Sequence, residues 1–312
     1  MEGSEVIELT TKSPLTYREI LAGDPSVPVE RIRGYLFLPP GHHCELPVVA
    51  IIIGSLGFTA GREELYSRAL NAVGIAAFVV DSFAPRGFAE TVSNQGRLSS
   101  ASQASDALHA IALLQKDPRF DPRRVGILGF SRGGQVAVAT QDQRLQNAVL
   151  GRDHGIAAHV ALYPSLNPRW RNPLPTKARM LMLLGGADER APEAKAQHYA
   201  KQFAAVGGSV AVVVFPGLFH SFDSLMPAKW RTEANLSRCQ MLIEDDGSIV
   251  EETSGIRPEG SWGEFLGRLR SQCGSVGGTV GSGPAPRDIA VKPIQAFLTK
   301  ELGGLQAGVS RH

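Results

Sequence analysis

Three short stretches, far apart in the chain, carry residue types that together could perform acyl transfer. Gly129-Phe130-Ser131-Arg132-Gly133 ends an apolar run with a serine set between glycines. This is the G-x-S-x-G pattern of a nucleophile elbow, in which a strained strand-to-helix turn holds a hydroxyl up for attack. A serine hydroxyl becomes a useful nucleophile near neutral pH only beside a base, and the base must be oriented by an acid. In the arrangement that uses this elbow, the acid and then the histidine follow the serine in the chain. "MLMLLGGADERAP" supplies Asp188 just after an apolar run, with Glu189 as its adjacent competitor. "VVVFPGLFHSFD" supplies His220 just after another. The other histidines fit less well: His42 and His43 come too early, His154 and His159 precede Asp188, His109 and His198 fall in helical patterns, and His312 is terminal.

Attack on a carbonyl also needs donors for the oxyanion that forms. The backbone N–H of Arg132, next after the serine, is one candidate. The other should come from a loop after an early strand. "IIIGSLGF" fits, with the amide of Leu56 as the expected donor and that of Ser55 as second choice. Ser55 and Phe130, flanking the reaction centre in sequence, are expected substrate contacts.

These residues need a scaffold that brings their loops together. Apolar, β-branched runs at 31–39, 47–54, 75–83, 124–130, 155–164, 178–186 and 209–217 alternate with helix-period segments at 62–74, 102–117, 133–143 and 193–207. Continuous apolar strands alternating with helices predict an α/β fold with a mostly parallel central sheet covered on both faces. Parallel strands share their carboxyl end, so Ser131, Asp188 and His220 should meet at one edge. After residue 230 the pattern weakens. "QMLIEDDGSIVEE" suggests a hairpin around Asp-Gly, "CGSVGGTVGSGPAP" reads as a flexible loop, and a closing helix at 287–302 is interrupted by Pro293. The chain is expected to form a single domain over 1–303. Within it, 230–286 forms a loop-rich insertion, serving as a lid or homodimer contact or merely as a surface excursion, and 304–312 is a flexible tail. Trp230, Trp262 and Phe265 would line the entrance if the insertion is a lid.

Composition narrows the partners. The 312 residues are 43% hydrophobic, enough for a sizeable core, and 32 basic against 30 acidic residues leave a formal charge of +2. Such a balance offers no polybasic face to nucleic acid or an anionic membrane. The apolar runs are too short to span a bilayer, and the first residues lack the pattern of a secretory signal, so a cytoplasmic location is expected. Cys44, Cys239 and Cys273 lack metal-ligand spacing and are expected to be reduced, with a Cys239–Cys273 bridge as the alternative. "GSLGFTAG" lacks the Gly-Lys-Ser/Thr ending of a phosphate loop, and no His/Asp cluster has metal-ligand spacing.

With "GFSRGG", "GGADERAP", "FHSFD" and "VVDSFAPRG" (79–87) in hand, the chain resembles the dienelactone hydrolase family of α/β-hydrolases. The resemblance implies an enzyme without a metal or other cofactor that cleaves a small ester or lactone through an acyl-enzyme. Ser131 would attack, His220 would shuttle the proton and Asp188 would orient it. It also implies arginines that hold a substrate carboxylate. Arg86 could match one, or form a structural ion pair that supports its loop, and the position four after the histidine is Ser224, with Asp223 beside it. Acyl transfer to an alcohol or amine, or peptide cleavage, would use the same trio. A catalytically silent binding scaffold would normally have lost one of its members.

Overall fold

Every residue from Val48 to Ile53 is fully buried, and the same holds from Ile75 to Val80. Such segments have no solvent face, so they are stable only as interior strands covered on both sides. Each buried valine or isoleucine contributes roughly 1.5–3 kcal/mol relative to exposure. The computed structural model describes residues 3–41, 45–59, 61–282 and 286–303. The expected flexible tail at 304–312, and Cys44, lie outside these residues.

The N-terminal part pairs β1 (Glu5–Lys12) with β2 (Val29–Phe37) in antiparallel register, after the short helix α1 (Tyr17–Leu21) between them. There follow β3 (Leu46–Ile52), α2 (Arg62–Asn71), β4 (Ala76–Asp81), α3 (Ser100–Leu114) and β5 (Phe120–Phe130). Next come α4 (Arg132–Ala139), α5 (Gln143–Leu150), β6 (Ala158–Leu162), the two-residue β7 (Arg169–Trp170), β8 (Arg179–Gly185), α6 (Glu193–Ala205) and β9 (Ser209–Phe215). The main sheet has eight strands in the order β1-β2-β4-β3-β5-β6-β8-β9. From β4 to β9 all neighbours are parallel, whereas β2 meets both β1 and β4 antiparallel.

The last part holds β10 (Lys229–Asn235), β11 (Met241–Ile243), β12 (Ile249–Glu251), α7 (Trp262–Cys273), β13 (Ser275–Val280) and α8 (Val291–Leu302). β11 and β12 form the hairpin expected around Asp-Gly, with Gly247 at φ 81°. Helices cover both sheet faces. A Cβ at Gly126 would meet Leu302 of α8, while one at Gly129, three residues on and so on the opposite face, would meet α4.

One strand was not foreseen and three expectations need correction. β1 carries a sheet edge, and its mixed burial hides the apolar signal. "CGSVGGTVGSGPAP" is not simply a loop: Ser275–Val280 pairs antiparallel with β10. Pro293 does not interrupt the closing helix, because α8 starts at Val291 and the proline falls in its first turn, where an N–H has no intrahelical acceptor. Finally, Cys239 and Cys273 are joined in a disulfide rather than left as thiols. The buried loop at Cys239 meets the last residue of α7, so two segments with little sheet support are tied together.

Candidate active site

The strand β5 delivers Ser131 into backbone that ordinary residues avoid, at φ 52° and ψ −109°. Such a conformation costs on the order of 1–3 kcal/mol and persists only when its surroundings enforce it. Here the enforcement is steric. A Cβ at Gly129 would lie 2.0 Å from the carbonyl oxygen of Gly133, and one at Gly133 would lie 2.2 Å from that of Ile52. Only glycine at both positions lets α4 start so close to the strand ends. The Ser131 N–H donates to the carbonyl of Leu162, which ties the turn to β6.

β8 and β9 deliver the two partners. His220 Nε2 lies 2.8 Å from Ser131 Oγ, and its Nδ1 lies 2.8 Å from Asp188 Oδ2. The other carboxylate oxygen, Oδ1, accepts the N–H groups of Arg190 at 2.7 Å and Ala191 at 2.9 Å. Asp188 is thus aimed from both ends, and its side chain is fully buried. Glu189 turns elsewhere and accepts the N–H of Thr279. Because the carboxylate must accept, Nδ1 carries the proton, leaving Nε2 free to receive one from the serine.

Behind the imidazole lies a layer not foreseen from the sequence. Tyr163, just past β6, sits edge-on to His220 with ring centroids 4.9 Å apart. Its hydroxyl donates to Asp223 Oδ1 at 2.6 Å, and that of Tyr66 donates to Oδ2 at 2.9 Å. Burial holds both phenols well above their usual pKa, so they remain donors. Asp223 therefore anchors the segment that carries His220 from three residues away. The signal was present in "FHSFD", but an aspartate in a loop reveals its tyrosine partners only through the fold.

On the other side of Ser131, Gly54 and Gly57 close a tight turn, with the Gly57 N–H bonded to the carbonyl of Gly54 at 3.0 Å. Gly57 adopts φ 69°, and a Cβ there would fall 1.9 Å from the Ala89 carbonyl. That turn bond does not use the N–H groups of Ser55 and Leu56. Both residues line the cleft, as does Arg132, the first residue of α4, whose N–H has no intrahelical acceptor.

Two expected substrate contacts lie elsewhere. Phe130 is fully buried with its ring against Tyr66 and the Arg62 guanidinium stacked 4.2 Å from its centroid, because side chains alternate along β5 and this one points into the core. Arg86 makes a bidentate ion pair with buried Asp106 at 2.8 and 2.9 Å and also donates to Ser82 O and Ser13 Oγ, so it braces the loop after β4.

The cleft over Ser131 has a volume of about 710 Å³. Much of its outer wall comes from residues 231–237, Met241 and the face of α7 bearing Trp262, Leu266 and Arg270. Trp262 lines it as expected of an entrance residue. Trp230 does not: it stands 55% exposed, packed over Gly277. Phe265 is buried beneath Trp262 rather than in the cleft.

A mostly parallel sheet with a serine elbow after its fifth strand, and an acid and histidine after later strands, defines an α/β-hydrolase. The sequence profile of the dienelactone hydrolase family matches residues 32–240, and the chain belongs to that family. A protein of Methylorubrum extorquens named "Putative carboxymethylenebutenolidase" is 24% identical over 230 residues, covering 69% of this chain and 76% of its own. An uncharacterized 31.7 kDa Escherichia coli protein from the traX–finO intergenic region is 36% identical over 98 residues. That match spans 31% of this chain and only 34% of the relative's length. Among solved structures, a thermophilic esterase of Thermogutta terrifontis has the same fold with a TM-score of 0.52 at 15% identity, covering 72% of this chain and 85% of that one. No helix among the described residues is long and apolar enough to cross a membrane.

Proposed function

We propose that this protein is a serine hydrolase that cleaves a small carboxylic ester or lactone through an acyl-enzyme. The observation that carries this reading is the unbroken relay Asp188–His220–Ser131, with both links at 2.8 Å. As Ser131 Oγ bonds to the carbonyl carbon, its proton passes to His220 Nε2 and the carbonyl π pair moves to oxygen. The N–H groups of Arg132 and Leu56 receive that oxyanion. When the pair returns, the carbon–oxygen bond to the alcohol breaks, and His220 gives its proton to the departing alkoxide. In a lactone the alcohol stays attached to the acyl chain. Water then attacks the acyl carbon while His220 takes its proton; the carbon–Oγ bond breaks, His220 returns that proton to Ser131 Oγ, and the acid leaves. Asp188 stays ionised and holds the imidazole through the cationic stage.

We read the segment 230–286 as the wall that sizes the acyl or alcohol group, within a single domain spanning 1–303, because residues 231–237, Met241, Trp262, Leu266 and Arg270 line the cleft over Ser131. The test is labelling with a fluorophosphonate, followed by a panel of 4-nitrophenyl esters of increasing chain length and of lactones. Wild-type protein should be labelled and Ser131→Ala should not, and at least one panel member should be turned over. A wild type that takes no label, or a labelled Ser131→Ala, would overturn the assignment.

A further inference from the structure

The side chain of Arg132 is a buried cation with no anion beside it. It is 7% exposed, and among the described residues no carboxylate lies within ion-pair distance. Its three donor nitrogens all go to neutral acceptors: Nε to Gln103 Oε1 at 2.9 Å, Nη1 to Gln95 Oε1 at 2.9 Å, and Nη2 to the carbonyl of Leu98. Tyr17, the ionisable group whose charge would act on it, is pushed by burial to about 12 and stays neutral. Burial pulls the guanidinium itself down only to about 10, so it remains charged near neutral pH. An uncompensated buried charge costs several kcal/mol and is not a natural choice for packing alone.

Both glutamines lead to the same place. Gln103 Nε2 donates to the carbonyl of Ile53 at 2.8 Å, and Gln95 Oε1 accepts from Ser55 Oγ at 3.2 Å. The loop carrying Gln95 is also stitched to this turn, since the Thr91 N–H donates to the carbonyl of Ser55 at 2.8 Å. The two arms of one guanidinium therefore grip the turn 53–57 at either side, from the residue that follows the nucleophile.

We propose that the Arg132 side chain is a positioning residue that fixes the turn carrying the Leu56 amide relative to the Arg132 amide, through the paired bridges Arg132–Gln103–Ile53 and Arg132–Gln95–Ser55. This inference rests on the serine-hydrolase reading of the site. Its benefit falls on the tetrahedral state and not on the bound ester, since only the former carries the negative oxygen.

The experiment compares Arg132→Met, Arg132→Lys, Gln95→Leu and the double variant R132M/Q95L on the 4-nitrophenyl ester that the wild type turns over best. It also measures binding of a trifluoromethyl ketone, which forms a tetrahedral adduct with the serine. R132M should lose about 100-fold in kcat with KM within about threefold, and its affinity for the ketone should fall by a similar factor. R132K keeps the charge but not the two-armed fork, and should stay at least about tenfold below wild type. Q95L should lose about tenfold, and the double variant should be no worse than R132M alone. A folded R132M with kcat and ketone affinity both within about threefold of wild type overturns the proposal, as do losses that multiply in the double variant. If R132M does not fold, Q95L and Ser55→Ala decide: Q95L should lower kcat about tenfold as above, Ser55→Ala about fivefold, and the pair no further than Q95L alone, and unchanged kcat in both overturns it. A wild type that takes no fluorophosphonate overturns the hydrolase reading and this proposal with it. A labelled, active wild type with R132M unaffected overturns this proposal alone.

Discussion

The two walls of the cleft are built on different physical terms. The floor, with Ser131, Asp188 and His220, hangs from the carboxyl ends of β5, β8 and β9, two of which are wholly buried over most of their length. The outer wall, from β10 to β13, is made of short strands, one helix and a disulfide, and much of β10 is exposed. β5 and β8 each have a sheet neighbour on both sides, which fixes the strand ends that present Ser131 and Asp188, while β9 closes the sheet as its edge. The wall is held by fewer such neighbours and meets the floor at a few points, chiefly where the Gly281 N–H donates to the carbonyl of His220 at 2.8 Å and the Thr279 N–H to Glu189.

The sharpest way to break this comparison is at the floor. Ser131→Ala should lower kcat by at least about 10⁴-fold with thermal stability unchanged or raised, the measurement being steady-state hydrolysis beside a melting curve. Asp188→Asn should cost about 10²–10⁴-fold, because an amide can present its N–H to Nδ1 and favour the wrong tautomer. If either variant keeps a tenth of wild-type activity, the floor is not where the chemistry is done.

At the wall, Cys239→Ser with Cys273→Ser removes a crosslink spanning 34 residues. The loop-closure estimate is about 3–4 kcal/mol, felt mainly in the segment it closes. KM for the longer esters should rise about three- to tenfold, while the rate of fluorophosphonate labelling changes less than about twofold. Equal losses in both would show that floor and wall are one unit.

A smaller effect belongs to the core beneath the floor. His159 is fully buried, donates from Nδ1 to the carbonyl of Ala137, and is driven by desolvation down to about 4. In the unfolded chain it binds a proton near the ordinary value of about 6.5, so between those values the unfolded state is the more protonated. Stability should therefore fall as pH drops from about 6.5 towards 4, by roughly 3 kcal/mol in all. His159→Gln should flatten that part of the curve in denaturant titrations at a series of pH values.

The same contrast decides what could be read from the sequence. Strands buried on both faces appear as unbroken apolar runs, so β3, β4, β5, β6 and β8 were legible; β9 was too, as an apolar valine-rich run, although it is the half-buried edge. With them came the order of Ser131, Asp188 and His220. β10, "KWRTEAN", and β13, "SVGGTV", pair mainly with each other and carry no such run. α7 did leave a trace: Trp262, Phe265 and Leu269 recur at helical spacing behind a Ser261–Glu264 capping box. Gly263 and Gly267 obscured it. Phe130 was misjudged, and Arg86 took the ion-pair alternative, because sequence proximity to Ser131, or membership of a motif, says nothing about which way a side chain faces. Arg132 was chosen for its amide, and its guanidinium found its use only once Gln95 and Gln103 came alongside.

The elbow's geometry also limits what else could stand at its apex. With φ at 52°, a side chain branched at Cβ would collide with its own backbone, whereas one that leaves Cβ unbranched is tolerated. A thiol could replace the hydroxyl without changing this backbone, though His220, 2.8 Å from Oγ, would have to give way to the larger sulfur, whereas a secondary alcohol such as threonine is disfavoured by the backbone itself. The menu of nucleophiles open to this chain is thus fixed by main-chain shape before reactivity is considered.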